Sequence, residues 1–385
     1  MIQAVTVVPD GDGYLLGRKG SPDFVEVPEI GGKIVLWLQD GLSVDECAAR
    51  AGEAVGEVVD VRDFLNDLTE AGVLADEAPP VDDGPPFGHR VGRFFFGPVG
   101  VTVQSTLVLI GLVLLAVDPG LRPSYHDGVP FSVPLASLLS ITLVSAVLTI
   151  THEMAHKLAA AQYGVYGRIS FGRRLFFIVA QTDVTGLWAL PRRQRAVPLA
   201  AGMLIDGSII TILLVLQEFL GHDPLIRVAV FVKIGGIVAQ TSVYMRTDFY
   251  ALFLVLTDSK NLWELKGAVF RKLIRRDSPQ DLELIAAATS RELFWARAYL
   301  LLYIPGVTIA FSYYFGFTLR TTIQVIGLAL SAIPTGWLSA VGGVITLLVI
   351  LVPMGFGLTG AARSAVAAIR RASHTRLRAQ TEMPI

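Results

Sequence analysis

Long apolar runs with few or no charged residues are the feature that most constrains how this chain can fold. Crossing a hydrocarbon core of roughly 30 Å takes about 20 apolar residues in a helix. Runs close to or above this length lie at 100–117, 131–150, 196–220, 224–245, 298–319 and 336–358. Only 17% of all residues are charged, against about 25% in an average soluble domain. We therefore predict a mainly α, polytopic helical membrane protein with about six transmembrane helices.

The basic residues divide unevenly between the two sides of the membrane that six spans define. One side receives the basic residues within 90–93, 157–195, 260–297 and 363–378. The other side receives only Arg122, Arg227 and Arg320. Because cytoplasmic loops carry the excess of Lys and Arg, we predict a multi-pass protein of the cell membrane with both termini in the cytoplasm. Whether the segment 321–333 crosses the bilayer or forms a short re-entrant or surface segment stays open.

Residues 1–78 have the composition of a small soluble domain. The stretch GYLLGRKGSPDFVEV alternates and turns like a β-hairpin, and the apolar residues 31–38 predict a helix. Ser43 followed by Glu46 predicts a capping box at the start of a second helix. A third helix is predicted at 58–71, followed by a strand that begins at Val73-Leu74. This outline is that of a small α/β winged-helix domain.

The N-terminal domain also limits the kinds of partner and compartment. Its helical part is acidic, and an acidic surface repels phosphate, so we predict no nucleic-acid partner. The only cysteine, Cys47, allows no internal disulfide and fits a reducing compartment. The start, MIQAVTVVPDGDGY, lacks a basic segment followed by an apolar core, so no cleavable signal peptide is predicted.

Composition also predicts where the domains and other regions of the chain begin and end. Residues 1–78 form the cytoplasmic recognition domain, and 79–97 form a Pro/Asp/Gly linker that leads into the membrane. The predicted regions that follow are a core at 98–257, a cytoplasmic loop at 258–297, additional transmembrane helices at 298–362 and a basic cytoplasmic tail at 363–385.

The second apolar run ends in a motif with the spacing of a zinc site, His152-Glu153-Met154-Ala155-His156. Positions i and i+4 lie on one face of a helix, so the two imidazoles can bind one Zn²⁺. Glu153 then lies where it can take a proton from a zinc-activated water molecule. Ionisable groups at membrane depth are costly and usually functional, which argues against a packing role. We predict one zinc ion per chain, with Glu153 as the catalytic base.

A catalytic zinc needs a third protein ligand and one open position. The other histidines lie in a linker, loops or the tail, so a carboxylate is expected. Asp248 lies at the end of the fourth apolar run and matches the depth of the motif, whereas Asp206, near the middle of the third run, is the rival. Asp206 could instead pair with Lys233 across the third and fourth spans and so neutralise both charges. Asp183 is a supporting candidate that could orient a ligand or a loop.

With both motifs in place, the chain resembles the site-2 protease-type intramembrane zinc metalloproteases. These enzymes carry His-Glu-x-x-His on one membrane helix and an aspartate ligand on a later one. The stretches GRISFGRRLFFIVAQTDVTGLWALPRRQRAVPLAAGMLIDG and MRTDFYALFLVLTDSKNLW resemble the peptide zinc metalloprotease branch. The resemblance covers roughly residues 90–270 and implies three metal ligands and a base, namely His152, His156, Asp248 and Glu153.

One position departs from that pattern, and one segment adds to it. Many members have Gly after the ligand aspartate, whereas this chain has Phe249, which puts the backbone turn there in doubt. The segment 168–179 has strand-like apolar content. It could form a hairpin that pairs with an extended substrate, or it could lie along the membrane interface.

The N-terminal string GGKIVLWLQDGLSVDECAARAG…FLNDLTEAGVL resembles the peptide-binding recognition domains of the biosynthesis of ribosomally made, modified peptides. The resemblance implies a peptide or membrane-peptide substrate, including a leader-bearing precursor, with peptide-modifying enzymes as partners beside the lipid bilayer. The predicted function is that of an intramembrane zinc endopeptidase. The alternatives are a regulatory site-2-type protease that releases a membrane-tethered factor, and a non-hydrolytic peptide export or immunity component.

Overall fold

The fold is mainly helical and is described here from a computed structural model. The described residues are 2–10, 13–18, 24–74, 86–174, 177–183, 185–241, 247–259, 261–355 and 359. Residues 75–85, which include the first part of the predicted linker, and the predicted basic tail at 363–385 lie outside the described residues.

A three-stranded antiparallel sheet opens the N-terminal domain. Its strands are β1 (Val5–Asp10), β2 (Gly13–Arg18) and β3 (Phe24–Pro28), paired in the order β1-β2-β3. Leu16 of β2 lies opposite Val7 on one side and Val25 on the other. The hairpin predicted in this region is confirmed as β2 and β3, whereas β1 was not predicted.

Three helices follow the sheet, namely α1 (Glu29–Gln39), α2 (Val44–Val55) and α3 (Val61–Glu70). The predicted capping box is present, because the Ser43 N–H donates to Oε2 of Glu46 at 2.7 Å and the Glu46 N–H donates to Oγ of Ser43 at 3.3 Å. The hydrogen bond from the Ser43 side chain also holds the pKa of Glu46 below its ordinary value.

The predicted strand does not begin at Val73-Leu74. Val73 and Leu74 lie in a turn, and the N–H groups of both donate to the carbonyl of Leu68, at 2.9 and 3.2 Å. Donors used at the end of a helix cannot enter a strand ladder. Both side chains are buried and pack in one cluster with Leu16 and Val35. In the described residues the domain therefore has three strands followed by three helices, so the expected order of hairpin and helices holds and the sheet has one strand more than expected.

The rest of the chain contains five helical segments that are long and apolar enough to cross a membrane, counted among the described residues. After α4 (Pro86–Phe96) come α5 (Pro98–Val117) and α6 (Pro134–Ala161). A hairpin of β4 (Ile169–Arg174) and β5 (Phe177–Thr182) and a 3₁₀ helix (Thr185–Ala189) then precede α7 (Arg192–Leu220). The two remaining spans are the continuous segment Ser290–Thr335 and the helix Trp337–Gly355.

The fourth of the six expected runs is the one that is not among these five segments. It forms α8 (Pro224–Gln240), a helix of 17 residues. At 1.5 Å per residue α8 is about 26 Å long, less than the roughly 30 Å of a hydrocarbon core. A separate helix, α9 (Asp248–Thr257), follows, so that Asp248 begins a helix instead of ending the fourth span. A helix N-terminus favours an acidic residue in its first turn.

The C-terminal half contains two short helices, α10 (Leu262–Leu273) and α11 (Pro279–Ala287), before the last spans. The segment Ser290–Thr335 comprises α12 (Ser290–Tyr313), a π-helical turn (Tyr314–Thr318), α13 (Leu319–Ala332) and a 3₁₀ turn. The segment 321–333, for which a crossing of the bilayer was left open, is therefore part of one long helical segment. Its Thr321 hydroxyl donates to the Tyr125 carbonyl at 2.7 Å, in the loop between α5 and α6.

Helix α7 is at the centre of the membrane-spanning part, because α5, α6, α8 and α9 all pack against it. The metal-binding motif on α6 thus faces α7, while α8 and α9 approach from the other sides. This arrangement brings residues that are far apart in sequence to one site.

Candidate metal centre

The two histidines of the motif lie one turn apart on α6, as the spacing predicted. The helix runs without interruption from Pro134 to Ala161, and both imidazoles are largely buried, with 12% of the His152 side chain and 7% of the His156 side chain exposed. Their Nε2 atoms are 3.2 Å apart. One face of α6 therefore presents two ring nitrogens to a single point.

Asp248 reaches the same point from the start of α9. Its Oδ2 lies 3.1 Å from Nε2 of His152 and 3.3 Å from Nε2 of His156. Four ligands arranged in a tetrahedron, with metal–ligand bonds of about 2.0–2.2 Å, are separated by roughly 3.3–3.6 Å. The three observed distances, 3.1, 3.2 and 3.3 Å, lie at or slightly below the short limit of this range, so the triangle of ligand atoms is close in size to one face of such a site.

The hydrogen bonds on the far side of each ring show which nitrogen is free to bind a cation. Nδ1 of His156 lies 2.8 Å from the carbonyl oxygen of Pro198, and Nδ1 of His152 lies 2.9 Å from Oδ2 of Asp206. Carbonyl and carboxylate oxygens only accept, so each ring in its neutral form places its proton on Nδ1 and leaves the Nε2 lone pair for a ligand. With Oδ2 of Asp248, three ligand atoms face one point. Such a set fits a metal cation.

Gly202 of α7 leaves the space in which the imidazoles meet. A Cβ atom at this position would lie 2.5 Å from Nε2 of His152 and 2.5 Å from Nε2 of His156. Any side chain would therefore fill the space beside the ligand atoms. Gly202 therefore allows α7 to pack closely against both imidazole rings.

Asp206 supports the site rather than acting as the third ligand. Its carboxylate faces Nδ1 of His152, on the opposite side of the ring from Nε2. The predicted pair with Lys233 is confirmed, since the Lys233 ammonium donates to Oδ1 of Asp206 and also to the Leu148 carbonyl at 2.9 Å. Both side chains are buried, and pairing is what makes two buried charges tolerable.

Glu153 is buried at the edge of the same pocket, with 9% of its surface exposed. The Thr182 hydroxyl, at the end of β5, lies 2.8 Å from Oε2 of Glu153 and 3.0 Å from the Glu153 carbonyl oxygen. The pocket has a volume of about 380 Å³ and is lined by both histidines, Asp248 and Glu153. The carboxylate is therefore held beside the space in which a metal and a substrate would meet.

Gln240, at the end of α8, fixes the position of Asp248. Its amide nitrogen donates to Oδ2 of Asp248 at 2.9 Å, and its amide oxygen accepts from the Asp248 N–H at 3.1 Å. The sequence did not single out Gln240, Thr182 or the Pro198 carbonyl. These groups belong to no short motif, and their contacts span 8, 29 and 42 residues.

Of the predicted site residues, the structure brings together His152, Glu153, His156, Asp206 and Asp248 and leaves one apart. Asp183 is exposed, and its N–H donates to the Arg168 carbonyl at 2.9 Å, at the end of the β4–β5 hairpin. It lines a second cavity, which lies beside the metal pocket.

Comparison with known proteins adds no family to this description: no family model, curated protein or solved structure matches the chain. The function is therefore argued from the site itself.

Proposed function

We propose that this chain is an intramembrane zinc endopeptidase that cleaves a peptide or a membrane-associated precursor. His152, His156 and Asp248 hold the zinc ion, and Glu153 is the catalytic base. The observation that carries the proposal is the convergence of two imidazole nitrogens and one carboxylate oxygen, 3.1 to 3.3 Å apart, beside a buried glutamate.

The donor set favours zinc among the common metals. Two imidazoles and one carboxylate, with a fourth position open, form the ligand set of hydrolytic zinc sites, whereas Mg²⁺ and Ca²⁺ prefer oxygen ligands alone. A bound zinc ion would supply a water molecule with a pKa near 7 and would polarise the peptide carbonyl. Asp206 and the Pro198 carbonyl keep both rings in the tautomer that binds metal.

Glu153 is placed for proton transfer. Its carboxylate takes a proton from the attacking water and later delivers a proton to the leaving amine. The Thr182 hydroxyl orients one carboxylate oxygen and leaves the other free to accept. This intact base distinguishes the proposal from a peptide-binding export or immunity component, which needs no proton acceptor at the metal.

The β4–β5 hairpin is the element that would hold an extended substrate. In the described sheet β5 pairs only with β4, so its other edge has backbone groups available for an added strand. Thr182, the last residue of β5, contacts Glu153, so a strand added to β5 would pass next to the base.

The N-terminal domain contacts the segment that follows this hairpin and would recruit the substrate. Its strands β1 and β2 contact the 3₁₀ helix Thr185–Ala189, and Oδ1 of Asp10 lies 3.0 Å from a guanidinium nitrogen of Arg195. A domain anchored here can hold a leader segment while the following residues reach the metal. A leader-bearing modified peptide is the substrate class that this arrangement favours.

The test replaces Glu153 by Gln in the full-length, zinc-loaded protein in proteoliposomes, with fluorescein-labelled casein as an unstructured substrate. General-base catalysis contributes about 10²- to 10⁴-fold, so we expect cleavage to fall by at least about a hundredfold. The zinc content should remain one per chain. Glu218→Gln is the matched control, because Glu218 is an exposed carboxylate of α7 away from the pocket.

Two results would contradict the proposal. One is a Glu153→Gln protein that cleaves casein as fast as the unmodified protein. The other is a zinc-loaded unmodified protein that cleaves neither casein nor a membrane-embedded peptide.

A further inference from the structure

A second cavity adjoins the metal pocket. It has a volume of about 480 Å³, which is within the range of roughly 300–1,000 Å³ found for ligand sites. The two cavities share Gln181, Thr182 and Leu199 in their walls. A ligand that extends from the metal can therefore continue into this space.

The walls of the second cavity differ in chemistry. The side formed by the hairpin is polar and includes Ser170, Gln181 and Asp183. The opposite side is formed by α7, α9 and the 3₁₀ helix, and it is apolar at positions such as Leu199 and Val255. A ligand that fits must present hydrogen-bonding groups on one side and an apolar group on the other.

The rim of the cavity is also the docking point of the N-terminal domain. Arg195 is only 2% exposed and donates to the carbonyls of Leu190 at 2.7 Å and Trp188 at 3.1 Å, as well as to Asp10 of β1. Both Trp188 and Arg195 line the cavity. A peptide held by the N-terminal domain therefore has a short path into this space.

Charged groups lie at the helix ends beside the cavity. Arg192, at the start of α7, donates to the carbonyls of Val255 at 2.5 Å and Leu256 at 2.9 Å, and it pairs with Asp258 at 2.8 Å. Such an ion pair belongs at the polar end of a membrane span, not in the hydrocarbon core. The cavity is therefore reached from the aqueous side.

We propose that this cavity binds the part of the substrate next to the scissile bond, and that the substrate is an extended, water-accessible peptide with an apolar residue at that position. An extended chain leaves its N–H and C=O groups free for the polar wall, whereas a transmembrane helix satisfies these groups internally. The apolar side chain would lie against Leu199 and Val255. This inference rests on the proposed protease function and names its substrate class.

The test fills the cavity from α9. Ala251 lines it, so Ala251→Phe reduces the space and Ala251→Leu reduces it less. Leu256→Phe is the matched control, because Leu256 is on the same helix, is 62% exposed and does not line the cavity. The probe is a random, internally quenched decapeptide library incubated with full-length protein in proteoliposomes, with cleavage positions read by mass spectrometry.

We expect the unmodified protein to prefer a large apolar residue at one position beside the cut. Ala251→Phe should shift that preference at least tenfold towards Gly and Ala, Ala251→Leu should shift it partly, and Leu256→Phe should leave it unchanged. Zinc content and the midpoint of thermal unfolding should stay the same in all three variants.

Several outcomes would overturn the inference. The proposed subsite is ruled out if the unmodified protein shows no residue preference beside the cut. It is also ruled out if Ala251→Phe and Ala251→Leu give the same cleavage preference as Leu256→Phe. Cleavage of a transmembrane-helix substrate but not of the library removes the substrate class and leaves the protease function intact. Cleavage of neither by the zinc-loaded protein removes both proposals.

Discussion

Nδ1 of His152 lies 2.9 Å from Oδ2 of Asp206, while the other oxygen of the same carboxylate accepts from Lys233. This chain of contacts joins α6, α7 and α8 directly behind the proposed metal. Asp206 holds the ring in the tautomer that binds zinc, and Lys233 balances its charge in a buried site.

Asp206→Asn should weaken zinc binding. The amide can still accept from His152, but it carries no charge and leaves the Lys233 ammonium without its counterion. Loss of a partner behind a metal ligand typically lowers affinity about 10- to 100-fold, which is the effect expected here. Competition with a chromophoric zinc chelator measures it, with Glu218→Gln as the control. An affinity equal to that of the unmodified protein would show that Asp206 does not support the ligand.

Lys233→Met should destabilise the protein more than the double variant Lys233→Met/Asp206→Asn. The single change leaves a buried carboxylate unpaired, whereas the double change removes both charges. Neighbouring residues that interact show coupling free energies of about 0.5–3 kcal/mol, and we expect a value in the upper part of this range. Thermal unfolding of the four proteins of the cycle in detergent measures the coupling. Strictly additive effects would contradict a stabilising pair.

Gly202→Ala should abolish stoichiometric zinc binding, because the new methyl group would lie 2.5 Å from Nε2 of both imidazoles. Gly327→Ala is the control, because a Cβ atom at Gly327 of α13 would have no neighbour within 4 Å. Elemental analysis of the purified proteins should find about one zinc per chain in the control and far less in Gly202→Ala. Equal zinc content in the two proteins would place the metal elsewhere.

Asp10→Asn should loosen the N-terminal domain from the cavity rim without affecting the metal. The buried Arg195 guanidinium keeps its two carbonyl partners but loses its charged one. Hydrogen exchange of the helix Thr185–Ala189 should become faster, while zinc content stays the same. If exchange in this helix is unchanged, the Asp10–Arg195 pair does not hold the domain in place.

The parts of the site that follow from local spacing could be predicted from the sequence. The His152–His156 pair depends only on the period of a helix, and the Asp206–Lys233 pair depends on two charges within apolar runs. Asp248 followed from its depth and from the family resemblance. Gln240 and Thr182 could not be predicted, because an amide and a hydroxyl are common and their roles depend on long-range packing.

The fold was predictable to a similar extent. Apolar runs identified most of the spans, but the run at 224–245 gave no indication that its helix ends at Gln240 and that a new helix begins at Asp248. In the N-terminal domain the capping box located α2 correctly. Strand β1, VTVVPD, contains Pro9 and was not predicted. Val73 and Leu74 are residue types common in strands, but their N–H groups donate to the Leu68 carbonyl near the end of α3.

X-ray absorption at the zinc edge, on the full-length protein loaded with one equivalent of zinc, identifies the atoms that bind the metal. We expect two imidazole nitrogens and oxygen ligands at about 2.0–2.2 Å, with one imidazole lost in His156→Ala and no sulfur. A spectrum without imidazole ligands, or one unchanged by His156→Ala, would contradict a metal centre formed by His152, His156 and Asp248.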